Sequence, residues 1–208
     1  MEIVDEAREI FGDRLDKAER YADLLRTWGI ERGLIGPKEG ERIWQRHILN
    51  CAAVIPYIPP GSHVADIGSG AGLPGIVIAL ARPDLHITLV ETMLRRTRFL
   101  HEIIQELDLD DQVSVIRSRA EECSQHFDVV TARAVASLDK LLRWTHHLFL
   151  PEGSMIVLKG ISAPDEVDLA SSLLKKYRLV ADLHPVGCEE NPTSFIVEIA
   201  ESREKSHQ

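Results

Sequence analysis

Four glycines fall within eight residues in Gly68-Ser69-Gly70-Ala71-Gly72-Leu73-Pro74-Gly75, directly after the apolar run Val64-Ala65-Asp66-Ile67. A helix-forming run from Pro74 to Ala81 follows, and a proline fits the first helical turn, where no intrahelical N–H is needed. Without a Cβ, glycine lets the backbone turn sharply and come close to a ligand, while the helix start presents unpaired N–H groups. Strand, glycine turn and helix in this order predict the first unit of an α/β fold.

The register of the loop bears on its ligand. Gly70-x-Gly72-x-x-Gly75 satisfies the dinucleotide pattern G-x-G-x-x-G, a weak match by itself. A dinucleotide site puts a glycine at the strand end, beside a pyrophosphate. Here a carboxylate, Asp66, stands there, followed by Gly68, Gly70 and Gly72. A negative charge suits a ligand with a cationic amine, such as S-adenosylmethionine. Glu91 ends the next strand, nineteen residues beyond Gly72, where a carboxylate can accept both ribose hydroxyls of an adenosine. The structural alternative is a tight turn with a solvated glutamate.

Around this centre the chain alternates strands and helices. Strands are expected at 86–91, 113–116, 127–131 and 155–158, and helices at 94–107, 138–148 and 166–176. Two further strands, at 179–184 and 195–200, are joined by a loop, which allows antiparallel pairing. Ahead of the sheet, 2–28 and 41–55 read as helices separated by a loop with Gly29, Gly33, Gly36 and Pro37. The expected organisation is an N-terminal helical extension packed on the core (1–58), an α/β domain (59–200) and a disordered tail (201–208).

Composition narrows the classes. A chain of 208 residues, 44% hydrophobic, buries a core without staples, and no apolar run approaches a membrane span. Cys51, Cys123 and Cys188 are odd in number and lack a C-x-x-C pair, so they read as small buried hydrophobes of a reducing compartment. With an acidic N-terminus unlike a signal peptide, the expected location is the cytoplasm. The net charge of −9 argues against indiscriminate coating of nucleic acid. Residues 46–160 carry only −2 of it, with Arg95, Arg96, Arg98, Arg117, Arg119, Arg133 and Lys159 among their bases. A small basic mouth around one cleft is compatible with that distribution.

Several separate blocks are specific to one family: Arg46-His47-Ile48-Leu49-Asn50, the loop from Asp66 to Gly75, Leu89-Val90-Glu91, Arg95-Arg96-x-Arg98-Phe99-Leu100, Arg119-Ala120-Glu121, Arg133-Ala134-Val135-Ala136-Ser137 and Leu158-Lys159-Gly160. In these the chain resembles the bacterial small-subunit ribosomal RNA methyltransferases that modify N7 of a guanine, the glucose-inhibited division protein B family. The resemblance implies a class I methyltransferase fold, Rossmann-like, with a seven-stranded mixed sheet. It implies S-adenosylmethionine as cofactor and ribosomal RNA or the small ribosomal subunit as partner, with no stable protein partner and a monomeric state. Gly68 and Leu73 would line the cofactor cleft, Glu91, Thr92 and Met93 surround the adenosine, Ala120 and Glu121 face the adenine, and Arg133 reach the cofactor. The N-terminal stretch Trp28-Gly29-Ile30-Glu31-Arg32-Gly33-Leu34-Ile35 departs from the family pattern.

Guanine N7 carries an in-plane lone pair and loses no proton on methylation. No catalytic acid or base is therefore assigned, and no metal site: His101-Glu102-x-x-Gln105 lacks the second histidine of H-E-x-x-H. Arg95 and Arg96 lie in the first turn of a helix, against the macrodipole by roughly 0.3–1 kcal/mol each, which points to an anionic partner, phosphate or carboxylate. Arg46 and His47 either face the RNA or pack the helix on the core. Lys159 ends a strand beside the expected cleft and is assigned to substrate phosphate. The competing readings are a methyltransferase for another RNA or a small molecule and, from another class, a nicotinamide-dependent oxidoreductase.

Overall fold

A computed structural model describes residues 3–188 and 191–202. Its centre is a seven-stranded sheet in the order β3-β2-β1-β4-β5-β7-β6. The strands are β1 (His63–Ile67), β2 (His86–Val90), β3 (Val113–Ile116), β4 (Val129–Ala132), β5 (Ser154–Lys159), β6 (Leu179–Cys188) and β7 (Asn191–Glu201). β1 to β5 are parallel, while β7 runs antiparallel to both β5 and β6. The hairpin strands are longer than their apolar cores predicted, because backbone pairing continues through polar residues at both ends. Glu201 still pairs with Leu179, and the Ser202 amide donates to the Arg178 carbonyl at 2.8 Å. The expected tail therefore does not begin at 201, and 203–208 lie outside the described residues.

The period of two along the strands sorts side chains onto two faces. Val64, Ile87, Leu89, Val129, Ile156 and Leu158 face one core, which also takes helices α4 (Gly75–Ala81) and α5 (Leu94–Glu106). Ala65, Ile67, Val130, Met155 and Val157 face the other, under α6 (Leu138–Phe149) and α7 (Ala163–Tyr177). The first core extends into the N-terminal layer through Phe11 of α1 (Ile3–Phe11), Tyr21 and Leu24 of α2 (Leu15–Leu24), and Leu25, Ile43 and Ile48 of the segments that follow. Polar bonds secure the same layer. Arg14 donates to the Ala79 carbonyl at 3.0 Å and Lys17 to the Leu107 carbonyl at 2.7 Å. These cations satisfy orphan carbonyls where α4 and α5 end, with the favourable sign for the helix dipole.

The segment expected as one helix over 41–55 is instead a 3-10 turn (Pro37–Arg42), a π-helix (Ile43–Leu49) and the short α3 (Asn50–Ala52). Apolar spacing reports which face is buried but not the winding. Here the wide turn coincides with a buried His47 reaching Arg133, a contact no local pattern encodes. Among the described residues no helix is long and apolar enough to cross a membrane.

Candidate functional site

In an open parallel sheet, ligands sit beyond the carboxyl ends of the strands where the strand order reverses. That point lies between β1 and β4, and the glycine loop leaves β1 there. Gly68, Gly70 and Gly72 have φ of 68°, 59° and 95°, the left-handed region that favours glycine. The loop closes on itself and on β2. The Gly68 amide donates to the Val90 carbonyl at 2.8 Å, and the Gly72 amide to the Ser69 carbonyl at 2.7 Å. Tyr21 of α2 adds an outer brace, its buried hydroxyl donating to the Ala71 carbonyl at 2.8 Å.

Asp66 lies beneath this loop rather than in a cleft. It is 0% exposed, and its Oδ2 accepts the Gly75 amide at 3.0 Å, holding the first residue of α4. Its Oδ1 has no partner, and burial pushes the carboxyl up to about 7. The expectation of direct contact with a ligand amine is thus corrected: a carboxylate with no exposed surface organises the loop. Gly75 has a steric reason to be glycine. A Cβ there would stand 2.4 Å from Leu89 Cδ2 and 2.8 Å from Asp66 Oδ2. Gly75→Ala is expected to lower unfolding free energy by about 3 kcal/mol through overpacking, read as a lower denaturant midpoint at unchanged slope.

Glu91, 3% exposed, follows β2. Its Oε1 accepts the amides of Thr92 and Met93 at 2.8 and 2.9 Å, and its Oε2 accepts the Gly70 amide at 3.0 Å. It lines a cavity of about 430 Å³ together with Gly68, Thr92, Arg96, Ala120 and Glu121. Five sequence-assigned residues from three separate segments thus meet Arg96 around one space. Met93, 39% exposed, is not among its lining residues, because the chain turns outward there into α5. Sequence reasoning assigned no site role to several further walls, among them Ser118, Val135 and Trp144. Trp144 comes from α6, where its spacing reads only as helix face.

A narrower cleft of about 220 Å³ adjoins the first and shares Gly68, Arg96 and Ala134 with it. Gly70, Leu73 and Arg133 line it, as do Leu34 and Ile35 of the N-terminal loop, which carried no motif signal. Gly72 does not line it. A Cβ at Gly72 would meet Ile76 Cγ1 at 2.6 Å, so its role is packing.

The basic residues divide. Arg96 turns back onto Glu91 Oε2 at 3.5 Å and walls both cavities, which corrects its assignment to RNA; of the anionic partners considered, the carboxylate holds. Arg133 donates to His47 Nδ1 at 2.7 Å and Cys51 Sγ at 3.0 Å, tying the N-terminal layer to the end of β4. His47 is buried, its Nε2 meets Glu39 at 3.1 Å, and it lines the narrower cleft, so of the two readings the structure shows the packing contacts. Burial, then the Arg133 charge, lowers its pKa, which keeps the imidazole neutral between its two partners. Lys159 is corrected too. Its ammonium is held by Glu166 at 2.8 Å and by the Ala136 carbonyl, leaving little of it for a phosphate. Arg46 is exposed beside Glu39 at 3.3 Å, and Arg95 is exposed with no ion-pair partner among the described residues. Cys51 and Cys123 are buried free thiols, and the Cys188 side chain lies outside the described residues. No group of three metal-ligating side chains converges among the described residues.

Comparison with known proteins bears on this geometry. The model of the GidB family, rRNA small subunit methyltransferase G, matches residues 14–191. The chain belongs to that family. A ribosomal RNA small subunit methyltransferase G from Salinispora tropica is 50% identical over 97% of this chain and 88% of its own. One from Mycolicibacterium smegmatis is 48% identical over 95% and 85%. Among solved structures, the m1A22 tRNA methyltransferase TrmK of Bacillus subtilis superposes with a TM-score of 0.58 at 20% identity, covering 74% of this chain and 65% of that one. At that identity the likeness speaks for the fold, the seven-stranded mixed sheet of class I methyltransferases.

Proposed function

We propose that the protein transfers a methyl group from S-adenosylmethionine to N7 of a guanine in small-subunit ribosomal RNA, acting in the cytoplasm. The observation that carries the cofactor reading is Glu91, a nearly buried carboxylate on the wall of a 430 Å³ cavity beside the glycine turn. The donor set fits an adenosine. A carboxylate at the end of β2 accepts ribose hydroxyls, and Ala120 and Glu121 flank the space where an adenine would lie. The adjoining cleft against Gly68, Gly70 and Leu73 suits the amino-acid part, with Arg96 placed between the two. Bound there, the cofactor supplies an electrophilic methyl on a sulfonium.

The protein's work is alignment. The nucleophile needs no deprotonation, so the walls must bring base and methyl into line and exclude water. A third cleft, about 550 Å³, opens on the far side of Ala134 and Val135 and is bounded by Lys159 and Gly160. The target base is placed there, next to the cofactor across those two residues. Ala134 is held at φ 54°, a conformation costing a non-glycine residue about 1–2 kcal/mol, and this backbone kink shapes the partition. Lys159 supports the same wall through Ala136 and Glu166.

The test is methyl transfer from labelled cofactor to small ribosomal subunits from cells lacking the protein, followed by mapping of the modified base. Label at a guanine N7 is expected. Cofactor binding without transfer to those subunits, or transfer to another atom, would overturn the reading, and NAD(H) binding in place of S-adenosylmethionine would favour the oxidoreductase class. Of the arginines assigned to RNA, Arg95 and Arg46 keep that role. Arg95→Glu is expected to weaken binding to small subunits about 3- to 10-fold, in keeping with loss of one phosphate contact, while calorimetric affinity for the cofactor stays put.

A further inference from the structure

Beyond the base-sized cleft lies another space the activity does not account for. It measures about 480 Å³ and is lined by Arg42, Gln45, Arg46, Asn50, Thr193 and Ser194. All six are polar, two are guanidinium groups, and no carboxylate is among them, in a chain whose net charge is −9. Asn50, Thr193 and Ser194 also line the third cleft, so the two form one continuous groove. The first cleft joins that groove through Ala134 and Val135. A path therefore runs from Glu91, past the kinked Ala134, to two arginines on the N-terminal layer.

The groove is built rather than incidental. Gln45 and Arg46 project from the π-helix Ile43–Leu49 and Arg42 immediately precedes it, all three exposed, while Ile43, His47 and Ile48 of the same turns are buried. The opposite wall is the start of β7, and Ser194 Oγ bonds Asn50 Oδ1 at 3.1 Å across the junction. That bond leaves the Asn50 amide nitrogen available as a donor to the groove. Glu39 lies behind Arg46 at 3.3 Å and leaves Arg42 without an ion-pair partner among the described residues. Among the described lining residues, two cations with amide and hydroxyl donors, and no large apolar side chain, match a sugar–phosphate backbone better than an apolar peptide.

We propose that this groove, lined by Arg42, Gln45 and Asn50 with Arg46, holds the RNA sugar–phosphate backbone next to the target guanine as the base enters the third cleft. The inference rests on the ribosomal RNA reading above. It adds a binding subsite on the N-terminal layer and makes that layer part of substrate selection.

The test compares wild type with Arg42→Glu/Gln45→Glu, using small ribosomal subunits from cells lacking the protein. The double variant is expected to raise KM for subunits at least tenfold and to flatten the slope of log affinity against log salt by about one. Its affinity for S-adenosylmethionine should equal wild type, which shows that the site has folded. Arg42→Lys should recover most of the loss, since a point charge still serves a phosphate. Unchanged KM and salt slope in an otherwise active double variant would overturn the groove. If wild type binds the cofactor but neither binds nor methylates small subunits, the substrate reading itself has failed and takes the RNA occupant of the groove with it.

Discussion

Replacing Glu91 by alanine should weaken S-adenosylmethionine binding about 100-fold or more. A charged acceptor is worth about 1.5–3 kcal/mol per hydrogen bond, and Glu91 is positioned to accept from two ribose hydroxyls. Two such bonds would amount to a loss of about 3 kcal/mol or more. The carboxylate also takes the amides of Gly70, Thr92 and Met93, so its removal loosens the loop as well as the ligand. Glu91→Gln separates the two effects. It keeps an acceptor oxygen for one side of the loop but loses the charge, so it should fall between wild type and alanine. Calorimetric titration gives the affinities, and thermal unfolding of the ligand-free proteins gives the loop contribution. Unchanged affinity in Glu91→Ala would remove the residue from the ribose role.

The second large effect is on stability against pH. Burial raises Asp66 to about 7 from an ordinary value of 3.8, so between these values the folded chain keeps a proton that the unfolded chain has released. The stabilisation is complete below about pH 4 and is lost as pH rises through about 7. The span corresponds to as much as ~4 kcal/mol, an upper figure for a group this buried. After burial, the Gly75 amide and then Ser69 lower it, Glu91 raises it further and Arg133 lowers it; Tyr21 and Cys51 feel its charge in turn. Asp66→Asn keeps an acceptor for the Gly75 amide and cannot ionise. Its unfolding free energy, measured in denaturant from pH 4.5 to 8, should lack this decline, so the gap between the two proteins should shift toward the variant as pH rises. A constant gap would mean that Asp66 is ionised in the folded protein throughout.

Both effects turn on the same distinction between two carboxylates that look alike in the sequence. Each stands within one residue of the end of a parallel strand, and each precedes a turn. Yet Asp66 is sealed under the loop by Gly75 and the N-terminal layer, while Glu91 keeps a small face on a cavity. Burial at that scale depends on what packs around the strand end, where Tyr21 of α2 braces the loop and Tyr21 and Cys51, both far away in sequence, lie close enough to feel the Asp66 charge. The arginines repeat the lesson. Arg95 and Arg96 are adjacent on α5, but helical rotation sends one outward and folds the other back onto Glu91.

What the sequence determined by itself was local and periodic. The glycine turn between an apolar strand and a helix, the alternation of strands with amphipathic helices and the carboxylate ending β2 specify a parallel sheet with a site at its reversal point. These features follow from backbone sterics and side-chain period, which act over a few residues. Only the tertiary structure decided which polar groups the fold consumes. Asp66, His47, Arg133 and Lys159 spend their hydrogen-bonding capacity on partners 7 to 86 residues away. Arg42, Gln45 and Asn50 are left facing a groove whose other wall is the distant strand β7. Whether a charged side chain is structural or available is settled by desolvation and by which partner reaches it first. Both are properties of packing between segments that the order of residues brings together only when the chain is folded.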